Sequence, residues 1–280
     1  MTLLTTRAGM ILATCLAATV GSAGAQNLQA QLAPPLDLKP VGFSDEVRES
    51  MSPSTDVANA VFKPAGDGPF PAVVLMHSCG GLVGAPNVHV KEHAQQLLAA
   101  GYVTLVIDSF QPRGFDNCAA RVPATSTGIV DAYAALDFLA AKPFVDATRV
   151  YQVGYSWGAF ISAFLASPQS AGLASSQRRF AATVANYGGC AYKTSQIVLR
   201  DIDRPLLMLL GERDREVPAA PCFPLLDELK AAGAPVHWHV YLQTTHGWDK
   251  PGLPTRGYTY SAQVTQDARR RALDFLSQPR

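Results

Sequence analysis

The feature that most constrains this chain is a series of short runs that are largely apolar without alternation. Ala72–Met76 (AVVLM), Tyr102–Ile107 (YVTLVI) and Pro205–Leu210 (PLLMLL) are the clearest, with Val150–Val153, Ala182–Ala185 and Val236–Leu242 beside them. A strand with one face in water alternates apolar and polar residues, whereas a strand covered on both faces has no need to. Segments with helical spacing lie between these runs. Val90–Ala100 ends at Gly101, a natural C-cap, and Thr125–Ala141 places Ile129, Ala132, Leu136 and Leu139 on one stripe. Trp157–Ala166, Pro218–Ala232 and Ala262–Leu276 complete the helical set. This alternation predicts an α/β fold, a mostly parallel sheet with helices on both faces. Such sheets bind ligands beyond the carboxyl ends of their strands, so the chemistry is to be sought in the residues that follow each run.

Size and composition fit one such domain. With 280 residues and 48% hydrophobic content the chain can bury a single large core. A formal net charge of +1 and the lack of a basic stripe argue against nucleic acid as a partner. Residues 1–25 are different in kind: one arginine, an apolar stretch from Met10 to Val20 and small residues at Ala23-Gly24-Ala25. That layout predicts a cleavable signal peptide, and hence a periplasmic or secreted protein with no stable membrane association after cleavage. Residues 26–55, rich in Pro, Gln and Ser without periodicity, read as an extended arm or linker, which leaves 56–280 as the folded domain. Removal of the leader leaves Cys79, Cys118, Cys190 and Cys222. In an exported protein these can form disulfides, and four cysteines allow three full pairings. Cys79 follows the first run and Cys118 lies in the loop after the next; Cys190 follows a later run and Cys222 lies near the start of the next helix. The expected pairs are therefore Cys79–Cys118 and Cys190–Cys222.

After Met76 comes His77-Ser78-Cys79-Gly80-Gly81, and after Ile107 comes Asp108-Ser109-Phe110-Gln111-Pro112-Arg113-Gly114. Val153 is followed by Gly154-Tyr155-Ser156-Trp157-Gly158, Leu210 by Gly211-Glu212-Arg213-Asp214, and Leu242 by Gln243-Thr244-Thr245-His246-Gly247-Trp248-Asp249. A serine hydroxyl needs a base to take its proton as it attacks a carbonyl. An imidazole can do so if a carboxylate fixes its tautomer and stabilises the imidazolium. Ser156, Asp214 and His246 fall at strand ends in that chain order, which is the order of α/β-hydrolases. Glu212 and Glu216 lie in the same loop as Asp214 and compete for its role. An oxyanion would need two N–H donors. The amide of Trp157, at a helix start, and one near Cys79, beside flanking glycines, are the candidates.

The GYSWG elbow, the segment GERDREVP, the segment THGWD and the HSCGG loop together resemble the dienelactone hydrolase family of α/β-hydrolases, over about residues 55–280. The resemblance implies opening of a small-molecule ester or lactone by a nucleophile, aspartate and histidine at Ser156, Asp214 and His246, with neither cofactor nor metal. Family members commonly carry cysteine at the elbow, and Ser156 brings this chain closer to general esterases. The family also grips a substrate carboxylate with arginines from two loops. One matches Arg113; the other falls at Lys250, a point charge without arginine's bidentate fork.

Other residues have simpler readings. His77 is expected to hydrogen-bond locally and shape the oxyanion loop. His89 and His93, four apart, lack an acidic third ligand and read as a solvated helix face. His237 and His239 read as structural. Trp248 either lines the pocket beside His246 or packs in the core. Arg269, Arg270 and Arg271 read as a solvated face. The expectation drawn is an exported serine hydrolase cleaving a carboxylic ester or lactone through an acyl-enzyme. Two alternatives stay open. A peptidase or acyltransferase could use the same triad, though no aromatic-rich capping insertion is evident. A catalytically silent binding protein could use the cleft, though it would have no need of Asp214 and His246 together.

Overall fold

In the computed structural model of the protein, residues 57–58, 61–82, 86–110, 113–119, 124–193, 195–252 and 257–279 are described. The expected signal peptide and arm lie outside these residues. In chain order the elements are β1 (Val57–Ala58), β2 (Val61–Phe62), β3 (Phe70–Met76), α1 (Pro86–Ala99), β4 (Val103–Ile107), α2 (Thr125–Ala140), β5 (Val145–Tyr155) and α3 (Trp157–Leu165). There follow α4 (Gln169–Ala174), β6 (Thr183–Asn186), β7 (Ala191–Tyr192), β8 (Ser195–Gln196), β9 (Leu206–Gly211), a 3₁₀ turn (Ala220–Cys222), α5 (Phe223–Ala231), β10 (Val236–Tyr241) and α6 (Ala262–Leu276).

Eight strands form one sheet in the order β1-β2-β4-β3-β5-β6-β9-β10. From β4 to β10 every pairing is parallel, while β1–β2 and β2–β4 are antiparallel. The chain moves from β3 outward to β4 and then returns to the other side of β3 to lay down β5. The switch point therefore falls between β3 and β5, where an open α/β sheet forms a crevice at its carboxyl edge. Register places Met76 opposite Gly154 and Tyr155 opposite Asn186, so the ends of β3, β5 and β6 meet there.

The unalternating runs are explained by apolar clusters on both faces of the sheet. Along β3, Val73 and Leu75 join a cluster with Val90, Leu97, Phe275 and Leu276 of α1 and α6. Ala72, Val74 and Met76 point the other way, into a cluster with Ile129, Leu136 and Ile161 of α2 and α3. Each aliphatic side chain taken fully out of water stabilises the fold by about 1.5–3 kcal/mol, so neither face tolerates a polar residue cheaply.

The structure adds elements that pattern did not anticipate. β1, β2, β7 and β8 have two residues each, too few to show a period. The helix expected over Pro218–Ala232 instead begins with the 3₁₀ turn, and α5 starts at Phe223 with a proline in its first turn, the position that proline tolerates.

Both expected cysteine pairs are present: Cys79–Cys118 with Cα atoms 5.0 Å apart and Cys190–Cys222 at 5.1 Å. Natively folded protein should therefore show no maleimide-reactive thiol at these four positions until it is reduced. Peptide mapping that found any of them alkylated without reductant would contradict the pairing.

Candidate active site

β5 ends at Tyr155 and α3 begins at Trp157, leaving Ser156 at φ 55° and ψ −110°. Residues with a side chain rarely hold a positive φ, and one that does is usually forced there by its surroundings. Those surroundings depend on the two flanking glycines. A Cβ on Gly154 would lie 2.0 Å from the Gly158 carbonyl oxygen, and one on Gly158 would lie 2.6 Å from that of Met76. The glycines thus allow β5, α3 and the end of β3 to approach more closely than any side chain permits. The Ser156 amide donates to the Asn186 carbonyl at 3.0 Å, which ties the turn to β6.

The loops after β9 and β10 bring the other two residues to this serine. Ser156 Oγ lies 2.9 Å from His246 Nε2, and His246 Nδ1 lies 2.6 Å from Asp214 Oδ2. A carboxylate only accepts, so Nδ1 carries the proton and donates, leaving the Nε2 lone pair of the neutral ring for the Ser156 hydroxyl. The second oxygen of Asp214 accepts from the Glu216 and Val217 amides at 2.9 and 2.7 Å. Its competitors are engaged elsewhere: Glu212 accepts from the Gln243 amide, and Glu216 accepts from the Tyr258 hydroxyl. Ser156, Asp214 and His246 are all buried, at 5%, 5% and 3% exposure.

The loop after β3 lies against the start of α3, as the Gly158–Met76 approach requires. His77 is fully buried, and its Nδ1 donates to the Ser78 carbonyl at 2.7 Å while Nε2 accepts from the Ser109 amide at 3.1 Å. Burial pushes its pKa down, which keeps the ring neutral. This is the local, loop-shaping role expected of it. Cys79 is held by its disulfide and by its carbonyl, which accepts from the Cys118 amide at 2.9 Å. Trp157, the other expected oxyanion donor, opens α3 immediately after Ser156.

The expected substrate-binding residues fare differently. Lys250 is buried and donates from Nζ to Ser78 Oγ at 2.8 Å. Its ammonium sits 5.5 and 5.9 Å from the ring centroids of Tyr187 and Tyr258, and both rings pack on His246, at 5.0 and 5.3 Å. Lys250 therefore belongs to the wall of the site. In place of an arginine presented to a substrate, the structure shows Arg113 bound in a fork to Asp131 at 2.8 and 2.9 Å, and to the Ser109 carbonyl. Asp131 is fully buried, and an unpaired carboxylate there would be costly. Trp248 is core rather than pocket wall: it is fully buried and packs edge-on against Tyr187 and Tyr241.

Two further expectations are corrected. His89 and His93 are buried, because the loop carrying His246 covers α1; His93 Nε2 donates to Asp249 at 2.7 Å. Arg269 is not a solvated charge but donates to His93 Nδ1 and pairs with Glu92, whereas Arg270 and Arg271 pair with Asp267 on their own helix. Tyr187 and Tyr258 were not singled out from sequence. Tyr187 had a usable signal, since it stands just after Asn186 at the end of β6. Among the described residues no group of three or more His, Cys, Asp or Glu side chains converges as metal ligands would.

Fold and site together define an α/β-hydrolase with a Ser–His–Asp arrangement at the carboxyl edge of its sheet. The model of the dienelactone hydrolase family matches residues 57–279, and the chain belongs to that family, which makes it an ester-hydrolysing enzyme. A candidate carboxymethylenebutenolidase of Methylorubrum extorquens is 25% identical over 232 residues, covering 77% of this chain and 74% of that protein. Among solved structures, a candidate dienelactone hydrolase from Klebsiella pneumoniae superposes with a TM-score of 0.62 at 20% identity, over 78% of this chain and 92% of that one. A thermophilic esterase from Thermogutta terrifontis gives 0.60 at 14% identity, over 82% and 95%.

The fork between Arg113 and Asp131 yields a prediction. Arg113→Met strands a buried carboxylate and should lower stability by about 3–5 kcal/mol in chemical denaturation. The kcat/KM ratio between anionic and neutral esters should stay unchanged. A collapsed ratio at unaltered stability would restore Arg113 as a substrate ligand.

Proposed function

We propose that this chain is an exported serine hydrolase that opens a carboxylic ester or lactone through an acyl-enzyme on Ser156. The observation that carries the reading is the continuous hydrogen-bonded line from Ser156 Oγ through His246 to Asp214, mounted on a strained elbow. In the first half-reaction Ser156 Oγ attacks the carbonyl carbon as its proton passes to His246 Nε2. Asp214 holds the resulting imidazolium in place. The carbonyl oxygen becomes an oxyanion facing the amides of Trp157 and Cys79. Collapse of this intermediate breaks the bond to the leaving oxygen, which takes the proton from His246. In the second half-reaction His246 removes a proton from water, the hydroxide attacks the acyl carbon, and Ser156 leaves with its proton restored.

The named relatives, a candidate carboxymethylenebutenolidase and an esterase, support a small ester or lactone as substrate. Lys250 is a buried cation in the wall of the site, so we assign any preference for a substrate carboxylate to it rather than to Arg113, which is engaged by Asp131. Export to the periplasm or beyond is supported by the leader-like composition of residues 1–25 and by the two disulfides, which persist in oxidising compartments.

Kinetics on a panel of chromogenic esters of graded acyl length tests the reading. Ser156→Ala should fold normally and lose at least about 10³-fold in kcat. His246→Ala should lose a similar factor, and the double variant little more, because the residues act as a unit. Near-wild-type turnover by Ser156→Ala on every ester would end the proposal.

A further inference from the structure

Behind His246 lies a buried polar network that the chemistry above does not use. Tyr187 follows β6 at φ 41°, a left-handed conformation that costs energy for any residue with a side chain. Its ring meets the His246 ring edge to face, with centroids 5.0 Å apart at 69°. Its hydroxyl donates to both oxygens of Asp249, at 2.9 and 3.1 Å. Asp249 in turn accepts from His93 Nε2 at 2.7 Å, and His93 Nδ1 accepts from Arg269 Nε at 3.1 Å. The arginine can only donate, so His93 is held in the neutral tautomer with its proton on Nε2.

We infer that Tyr187, anchored by Asp249 and His93, is a positioning residue for the catalytic histidine; the inference rests on the hydrolase reading above. The geometry gives three reasons. First, the hydrogen bond from His246 Nδ1 to Asp214 fixes one axis of the imidazole and leaves rotation about that axis open. A ring packed against the imidazole closes that freedom, and the Nε2 lone pair stays directed at Ser156. Second, Asp249 lies one turn beyond His246, in a loop where the Lys250 amide donates to the Gly247 carbonyl at 3.1 Å. Anchoring Asp249 to α1 through His93 and to β6 through Tyr187 therefore anchors the segment that carries the histidine. Third, Tyr187 adjoins Asn186, whose carbonyl accepts the Ser156 amide. One strand end thus references both nucleophile and base. The protonation states agree: burial raises the Tyr187 hydroxyl pKa well above its usual value and keeps it a donor. Burial also pushes the Asp249 carboxyl up, but the hydrogen bond from His93 and the charge of Lys250 hold it below the usual carboxylate range.

The test compares Tyr187→Phe and Asp249→Asn with a control, Tyr133→Phe. Tyr133 is likewise buried and bonds Ser170 at 2.9 Å, joining α2 to α4 rather than to a loop that carries the triad. Each variant is titrated with a fluorophosphonate so that kcat is expressed per reactive serine. Tyr187→Phe and Asp249→Asn should each lose about 10- to 100-fold in kcat with KM within about twofold, since a histidine displaced by a fraction of an ångström slows chemistry more than binding. The double variant should lose no more than the worse single one, and Tyr133→Phe should keep its kcat. If Tyr187→Phe does not fold, Asp249→Asn reads the same claim. Unchanged kcat in folded Asp249→Asn, or an equal loss in Tyr133→Phe, would overturn the inference while the hydrolase reading stands. Wild-type protein inert to the fluorophosphonate would overturn that reading, and this inference with it.

Discussion

The site depends on the approach of three backbone segments that no side chain could share. Gly154 on β5 and Gly158 on α3 let the elbow pass within contact of the end of β3, and the left-handed backbone at Ser156 follows from that compression. The strain lifts Oγ out of the sheet. It also sets Trp157 at the head of a helix, where the amides and the helix dipole favour developing negative charge. Neither glycine is needed for its own φ; each is needed for the space its missing Cβ leaves. A turn-forming role would have required the reverse.

Around this elbow the loops are braced against each other. The loop after β3 is held by the Cys79–Cys118 disulfide and by both nitrogens of His77. The loop after β4 is pinned to α2 by Arg113 and Asp131. The loops after β9 and β10 are joined by the Arg213 amide on the Thr244 carbonyl and by Glu212 on the Gln243 amide. Donors aimed in advance at the position of a transition-state charge need no reorganisation during reaction, and such bracing supplies that condition.

Much of this was legible in the sequence, for reasons that differ by residue. The central strands were visible because burial on both faces removes alternation. Ser156, Asp214 and His246 were visible because an open parallel sheet delivers its chemistry at strand ends, where each of them falls. The cysteine pairs followed from the same logic. What stayed hidden depends on contacts between distant segments. His93 and Asp249 are separated by 156 positions, and a polar pair spaced along a helix looks solvated until the loop that covers it is known. The partner of Arg113 could not be named because a loop arginine can reach several carboxylates. Tyr187 obeys the same rule as the triad residues, since it stands directly after β6, a strand end like the others.

The central claim is that Ser156 is the nucleophile. The direct measurement is the site of covalent modification by a fluorophosphonate, located by peptide mass mapping in the wild-type protein. The account predicts one adduct per chain, on Ser156, suppressed when His246 is replaced by alanine. An adduct on any other residue, or none while ester hydrolysis continues, would contradict it.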